Sequence, residues 1–379
     1  MRTQTSESGF SLVEVLTATA ISLVVIGTAM MAFKDGIAMN ETATNLADAS
    51  QNLRSGTNFL VRDLMQTGKG IPTGGISIPS GTVHGQILRP SPPGTTALPL
   101  PQLYIDNNFP TTSLPAVISG QGKGPLVDGQ TTDMITLLTI DPILDACLTN
   151  PLALPPVTTP GSVPKMSLLG DSFSIGATTL VACIGTGATG NWLVGDATQG
   201  QSPIKKGDLI LFTDPGGKTA LQAVTSTDTL NVYFASNILD EFGINQRNAT
   251  AGSITNILGQ SLTAQRVLMY TYYVDTTEVG APHLMRRLNM FAPQALAGVV
   301  EDLEFTYDLV DGLGVNPVDV RDLPYTLGTT VYSANQIRKV RIHVGVRSEA
   351  KATRQNDYLR NHLSTVVSLR SLAFVDRYK

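Results

Sequence analysis

Gly9-Phe10-Ser11-Leu12-Val13-Glu14-Val15-Leu16 opens the stretch that decides the fold, and an apolar run as far as Phe33 completes it. Between residues 15 and 33 no side chain is charged, and Ile21, Leu23, Val24, Val25, Ile26 and Met30 keep the run apolar throughout. About 20 such residues make a helix long enough to cross the hydrocarbon of a bilayer. A secretory signal has a basic start, a short apolar stretch and a small-residue cleavage site behind it. Here any processing point would precede the apolar segment, at the Gly9–Phe10 junction. Cleavage there leaves the hydrophobic helix on the mature chain as its N-terminus. Glu14 sits inside this segment, where a carboxylate costs roughly 2.5–3.5 kcal/mol to insert and marks a function with a nameable partner. The alternative is that Glu14 lies near enough to the end of the span to reach the headgroups.

This arrangement resembles the class III signal of type IV pilins and type II secretion pseudopilins. In that family a prepilin peptidase cuts after a glycine, the following residue, usually Phe, is N-methylated, and the fifth mature residue is Glu. Gly9, Phe10 and Glu14 occupy those positions. The leader departs from the pattern in carrying only Arg2 as a base, with Glu7 nearby. Later segments are similar, in order, to PilW-type minor pilins and the related J-type pseudopilins. They are Thr132-Asp133-Met134-Ile135-Thr136-Leu137, Lys206-Gly207-Asp208-Leu209-Ile210-Leu211, residues 299–307, residues 337–342 with Val346-Arg347-Ser348, and Val366-Val367-Ser368-Leu369-Arg370.

The resemblance implies a minor pilin that helps to initiate, assemble or tip a type IV pilus. Its partners would be the prepilin peptidase, other minor pilins, the major pilin and the inner-membrane assembly platform. Its place would be the inner membrane, single-pass with a periplasmic head, and then the pilus or cell surface. A minor pseudopilin of a type II secretion system and a tip-displayed adhesin are the competing implications. Arg2 before the span and Lys34 after it leave the positive-inside bias almost neutral, so orientation rests on the resemblance.

The chain has 379 residues and a net charge of −4. That is room for a sizeable core or two modest ones, and it offers no basic face for nucleic acid. Beyond Phe33 the helix is expected to continue: Met39, Leu46, Leu53 and Leu60 recur every seven residues, Leu64 follows, and polar residues fill the gaps. Gly68, Gly70 and Pro72 supply a stop. The stripe needs a cover, either the chain's own sheet or a coiled-coil partner. Residues 72–164 hold sixteen of the 22 prolines, and a segment so poor in backbone donors is expected to form a surface insertion of loops with few strands. Residues 134–140 are the best strand within it.

Later runs at 179–184, 208–213, 221–224, 230–235 and 267–274 are spaced like hairpins, and residues 340–347 alternate apolar and polar as a half-buried antiparallel strand does. The tail, 357–374, is dense enough in apolar residues for a last strand. The expected organisation is therefore a leader (1–9), a transmembrane helix (10–33), its amphipathic continuation (34–68), a proline-rich loop and β insertion (69–165) and an antiparallel β-rich domain (166–379). The fold class is α+β, pilin-like, with the helix packed on an antiparallel sheet.

Chemistry-bearing patterns are sparse. Cys147 and Cys183 either form a disulfide, contributing about 3–4 kcal/mol by loop closure, or are two separate small hydrophobes. Asp214-Pro215-Gly216-Gly217-Lys218-Thr219 ends like a phosphate-binding loop, but Phe212 stands where the first glycine belongs, so a hairpin turn is expected. The histidines, His84, His283, His343 and His362, show no zinc spacing. Asp308, Asp311, Asp319 and Asp322 do not fit a calcium loop. The expectation is a structural subunit, not an enzyme, with no cofactor and no metal.

Overall fold

The computed structural model describes residues 9, 11–72, 74–79, 87–92, 98–99, 113–141, 167–169, 172–176, 204–227, 231–235, 239–246, 252–257, 263–278, 280–310, 316–352 and 356–372. One helix, α1 (Leu12–Gln66), leads into a head of antiparallel strands. At 55 residues it is about 82 Å long. It stops where the sequence says it must. Thr67 leaves helical geometry with its N–H on the Leu64 carbonyl at 3.2 Å, and Gly68 (φ +81°) and Gly70 (φ +73°) turn the chain through left-handed space. Gly68 N–H then donates to the Leu138 carbonyl at 2.9 Å, so the helix end is tied at once to the head.

The strands that position α1 are β1 (Val117–Ile118), β2 (Ile135–Ile140), β3 (Leu209–Thr213), β4 (Thr219–Ala223), β5 (Thr263–Asp275), β6 (His283–Leu288), β7 (Gln294–Ala297), β8 (Val300–Leu309), β9 (Ile337–Ala352) and β10 (Asp357–Ser368). A seven-stranded sheet runs β4-β3-β5-β6-β7, with β2 also pairing along β5 and β1 along β2. A three-stranded sheet runs β8-β9-β10, and α1 packs on β9, β10 and β7. The alternation read at 340–347 is borne out: Val340, Ile342, Val344 and Val346 are buried. The dense tail is strand β10 for Asp357–Ser368. Asp214 closes the β3–β4 hairpin, accepting from Lys218 N–H at 2.7 Å through Oδ1, as expected of a turn. The run at 179–184 lies outside the described residues.

Two expectations need correction. The strand expected at 134–140 is present as β2, but it is built into the core and not carried on the surface. All six residues of β2 are buried, and residues 135–140 pair with 267–272 in the interior of the larger sheet. Proline removes a donor only where it stands, and the gap between Pro125 and Pro142 is long enough for a central strand. Asp133, just before β2, locks it to β8: its carboxylate accepts from Gly122 N–H at 2.7 Å and Phe305 N–H at 3.0 Å. Burial raises its pKa against those hydrogen bonds.

The second correction concerns the apolar stripe of α1. Leu53, Leu60 and Leu64 are fully covered by the head, but Met39 is 67% and Leu46 43% exposed. Full burial begins at Ala49, with Asn45 and Asp48 at the edge of the head beside Val299 and Arg347. Residues 12–48, about 55 Å of helix, carry no fully buried residue, so the head covers only the upper part of the stripe.

The covered part is pinned by charge as well as by area. Asp63 is only 3% exposed, yet its Oδ2 accepts from Tyr272 Oη at 2.6 Å and from Arg286 Nε at 2.7 Å. The Arg286 guanidinium lies 3.9 Å over the Tyr270 ring. Burial first, and then the Asp63 charge, push the Tyr272 pKa far upward, so its hydroxyl remains a donor. About two turns below, Gly56 lets the helix touch β7: a Cβ there would meet the Ala297 Cβ at 2.9 Å.

Asp63→Ala is expected to cost about 3–5 kcal/mol, because Arg286 is left buried without its counter-charge, and Tyr272→Phe about 1 kcal/mol. Gly56→Ala should lose roughly 1–2 kcal/mol net: overpacking against a backbone-fixed methyl exceeds the gain in helix propensity. Guanidinium unfolding of the detergent-solubilised chain measures all three, and an Asp63→Ala protein as stable as wild type would refute the pin.

Candidate assembly site

The residues singled out at the start of the sequence sit at the end of α1 away from the head. Ser11 is its N-cap, extended at φ −73° and ψ 146°. The Ser11 Oγ accepts from Glu14 N–H at 3.3 Å, and Glu14 Oε2 accepts from Ser11 N–H at 3.1 Å. This is a capping box. It satisfies two of the amides that the start of any helix leaves without intrahelical partners, and a carboxylate in the first turn also complements the helix dipole. The Ser-x-x-Glu pattern ahead of an apolar run was readable in the sequence. It went unread because Glu14 was weighed only as an assembly charge or a headgroup-seeking side chain.

Gly9 is exposed, and Phe10 lies outside the described residues. Further along the span, the Thr17, Thr19 and Thr28 hydroxyls donate to carbonyls one turn back, at 2.9–3.0 Å. Their polar groups therefore need no water. α1 is the one helix among the described residues long and apolar enough to cross a membrane, and none of its most apolar stretch is buried in the chain's own fold. A single N-terminal apolar helix followed by a β-rich head is consistent with a pilin-like architecture and with a membrane anchor.

The other candidates named from sequence disperse. Cys147 and Cys183 lie outside the described residues, as do His84 and Asp311. Asp319 pairs with Arg341 Nε at 2.9 Å, Asp322 accepts from Ser119 Oγ at 2.7 Å, and Asp308 accepts from Asp319 N–H at 3.3 Å, so these carboxylates are engaged separately. Among the described residues no group of three His, Cys, Asp or Glu side chains is placed to hold a metal ion. His283 faces Glu278 at 3.1 Å. Sequence spacing did not anticipate that His343 and His362 stack on one another across β9 and β10, with ring centroids 5.6 Å apart. No protein-family model, curated protein or solved structure matches the chain.

Glu14→Leu is expected to open the capping box and speed amide exchange at Ser11 and through the first turn, measured in micelles. Glu14→Gln keeps an acceptor at the same reach and should leave that exchange near wild type. Equal protection in both variants would remove the capping role.

Proposed function

We propose that this chain is a structural subunit of the minor-pilin type. It is anchored in the inner membrane by residues 10–33 and processed between Gly9 and Phe10, and it assembles with other pilin-like subunits to initiate or tip a type IV pilus. The observation that carries the reading is the combination at α1: a Gly-Phe-x-x-x-Glu start, a bare apolar helix, and a head that grips the helix only from Ala49 onward. A globular enzyme gains nothing from some 55 Å of unsupported helix. A subunit whose neighbours cover that length does.

Cleavage would create a cationic amine on Phe10 beside the positive end of the helix dipole, an unfavourable placement for a cation. Glu14, in the first turn, is the carboxylate that offsets it, either within the chain or from a neighbouring subunit in a low-dielectric bundle. On this reading the partners are the prepilin peptidase, the assembly platform and other pilins, the head is periplasmic, and no cofactor is needed. A minor pseudopilin of a type II secretion system would share every one of these features.

Two measurements test it. Mass spectrometry of chain recovered from cells with an active prepilin peptidase should find a mature protein beginning at methylated Phe10, and a bulky replacement of Gly9 should block the cut. Recovery of the intact leader from wild type would overturn the processing step. Glu14→Leu and Glu14→Gln should both remain in the membrane and both lose co-purifying pilins. Loss with Leu alone would assign Glu14 to capping, and loss with neither would remove it from assembly.

A further inference from the structure

The β8-β9-β10 sheet turns one face to α1 and the other outward. On the outer face Gly345 of β9 stands opposite Asp302 of β8 on one side and His362 of β10 on the other. Lacking a side chain, Gly345 leaves a gap that both neighbours enter. A Cβ there would meet His362 Nδ1 at 2.9 Å and Asp302 Cβ at 3.0 Å. The His362 ring thereby lies flat against that of His343, at an interplanar angle of 13°, and His343 Nε2 is 3.5 Å from Asp302 Oδ2.

The charged groups around the pair come from every strand of this sheet. β8 supplies Asp302 and Glu304, Glu304 lying opposite His343 and also 3.5 Å from Arg321. β9 supplies Arg341 and Arg347 two and four residues from His343, and β10 supplies Arg360 two residues from His362. Arg341 is held by Asp319, and Arg347 and Arg360 by Glu301. With Glu304 facing Arg321, Asp302 is the carboxylate left to serve the two imidazoles. It can neutralise one imidazolium and not two.

One residue along β10, the chain reverses face. Asn361 Nδ2 donates to Ser50 Oγ of α1 at 3.1 Å, close to Ala49, where the head first grips the helix. The ring stack and the helix contact are thus neighbours on one edge strand, on opposite faces.

We propose that the His343–His362 stack is a proton-operated clasp: it holds with one proton shared against Asp302 and opens when both rings are protonated, loosening the hold of β10 on α1 at Ser50. Histidine is the side chain that changes charge between about pH 5 and 8, and two parallel imidazolium rings repel.

The test is an NMR titration of the full chain in detergent micelles, with ¹³C-labelled histidine, from pH 8.5 to 4.5, assigned with His343→Gln and His362→Gln. His343 and His362 should titrate in shared, coupled steps. Asp302→Asn should move the upper step to lower pH. Gly345→Ala, by filling the gap, should merge the two steps. Below the lower step, amide protection at residues 361–364, corrected for intrinsic exchange, should fall at least about tenfold while that of β5 holds, a loss of about 1.4 kcal/mol. Independent single-site curves for the two histidines, or curves unmoved by Asp302→Asn, would overturn the clasp. Unchanged protection at 361–364 across the lower step would overturn its link to α1. Neither result bears on Gly9 processing or on Glu14.

Discussion

A buried carboxylate on a helix has few stable positions, and Asp63 occupies one of them. Its Oδ2 takes a phenol and a guanidinium from two neighbouring strands, so helix rotation and height are set together. A slide of one residue would strand three polar groups in an apolar seam, each at a cost larger than an ordinary packing contact. Leu60 and Leu64, on the same face, supply area without direction. Area makes the helix stick, and the charge decides where.

From that pin the division of labour along α1 follows. Above Ala49 the helix belongs to the head, and below it cover from its own chain dwindles to the edge contacts around Asn45 and Asp48. The Met39–Leu46 part of the stripe continues the same face past the end of the sheet. One periodic pattern thus serves two environments, which is why it reads as continuous in sequence while the structure divides it.

Much of the architecture could be read before the fold was known. The helix stop is written in Gly68, Gly70 and Pro72, and the period-two run at 340–347 announces its own strand. The strand at 134–140 was legible within the proline-rich segment, but its central place was not, because proline content averaged over ninety-odd positions hid the gap between Pro125 and Pro142. The pin was invisible for a different reason. Asp63 is one polar residue among many on a wet helix, and its partners stand 209 and 223 residues away. The same holds for His343 and His362, which meet because Gly345 makes room for a ring that no spacing rule foresees. Gly9 and Glu14 stood out from local pattern alone. Ser11's part in the capping box was equally local, carried by the Ser-x-x-Glu pattern.

The long reach of the pin also sets an order of events during synthesis. At about 5–20 residues per second, Tyr272 and Arg286 leave the ribosome on the order of 10–40 s after Asp63. β2 likewise waits for residues 267–272 before it has a partner on that side. Throughout that interval the upper helix is an isolated amphipathic segment, marginal on its own, with its carboxylate in water. Contacts this distant in sequence form slowly. The pin can therefore form only after the strands of the C-terminal half exist, and until then the upper helix lacks the contacts that fix its height and rotation.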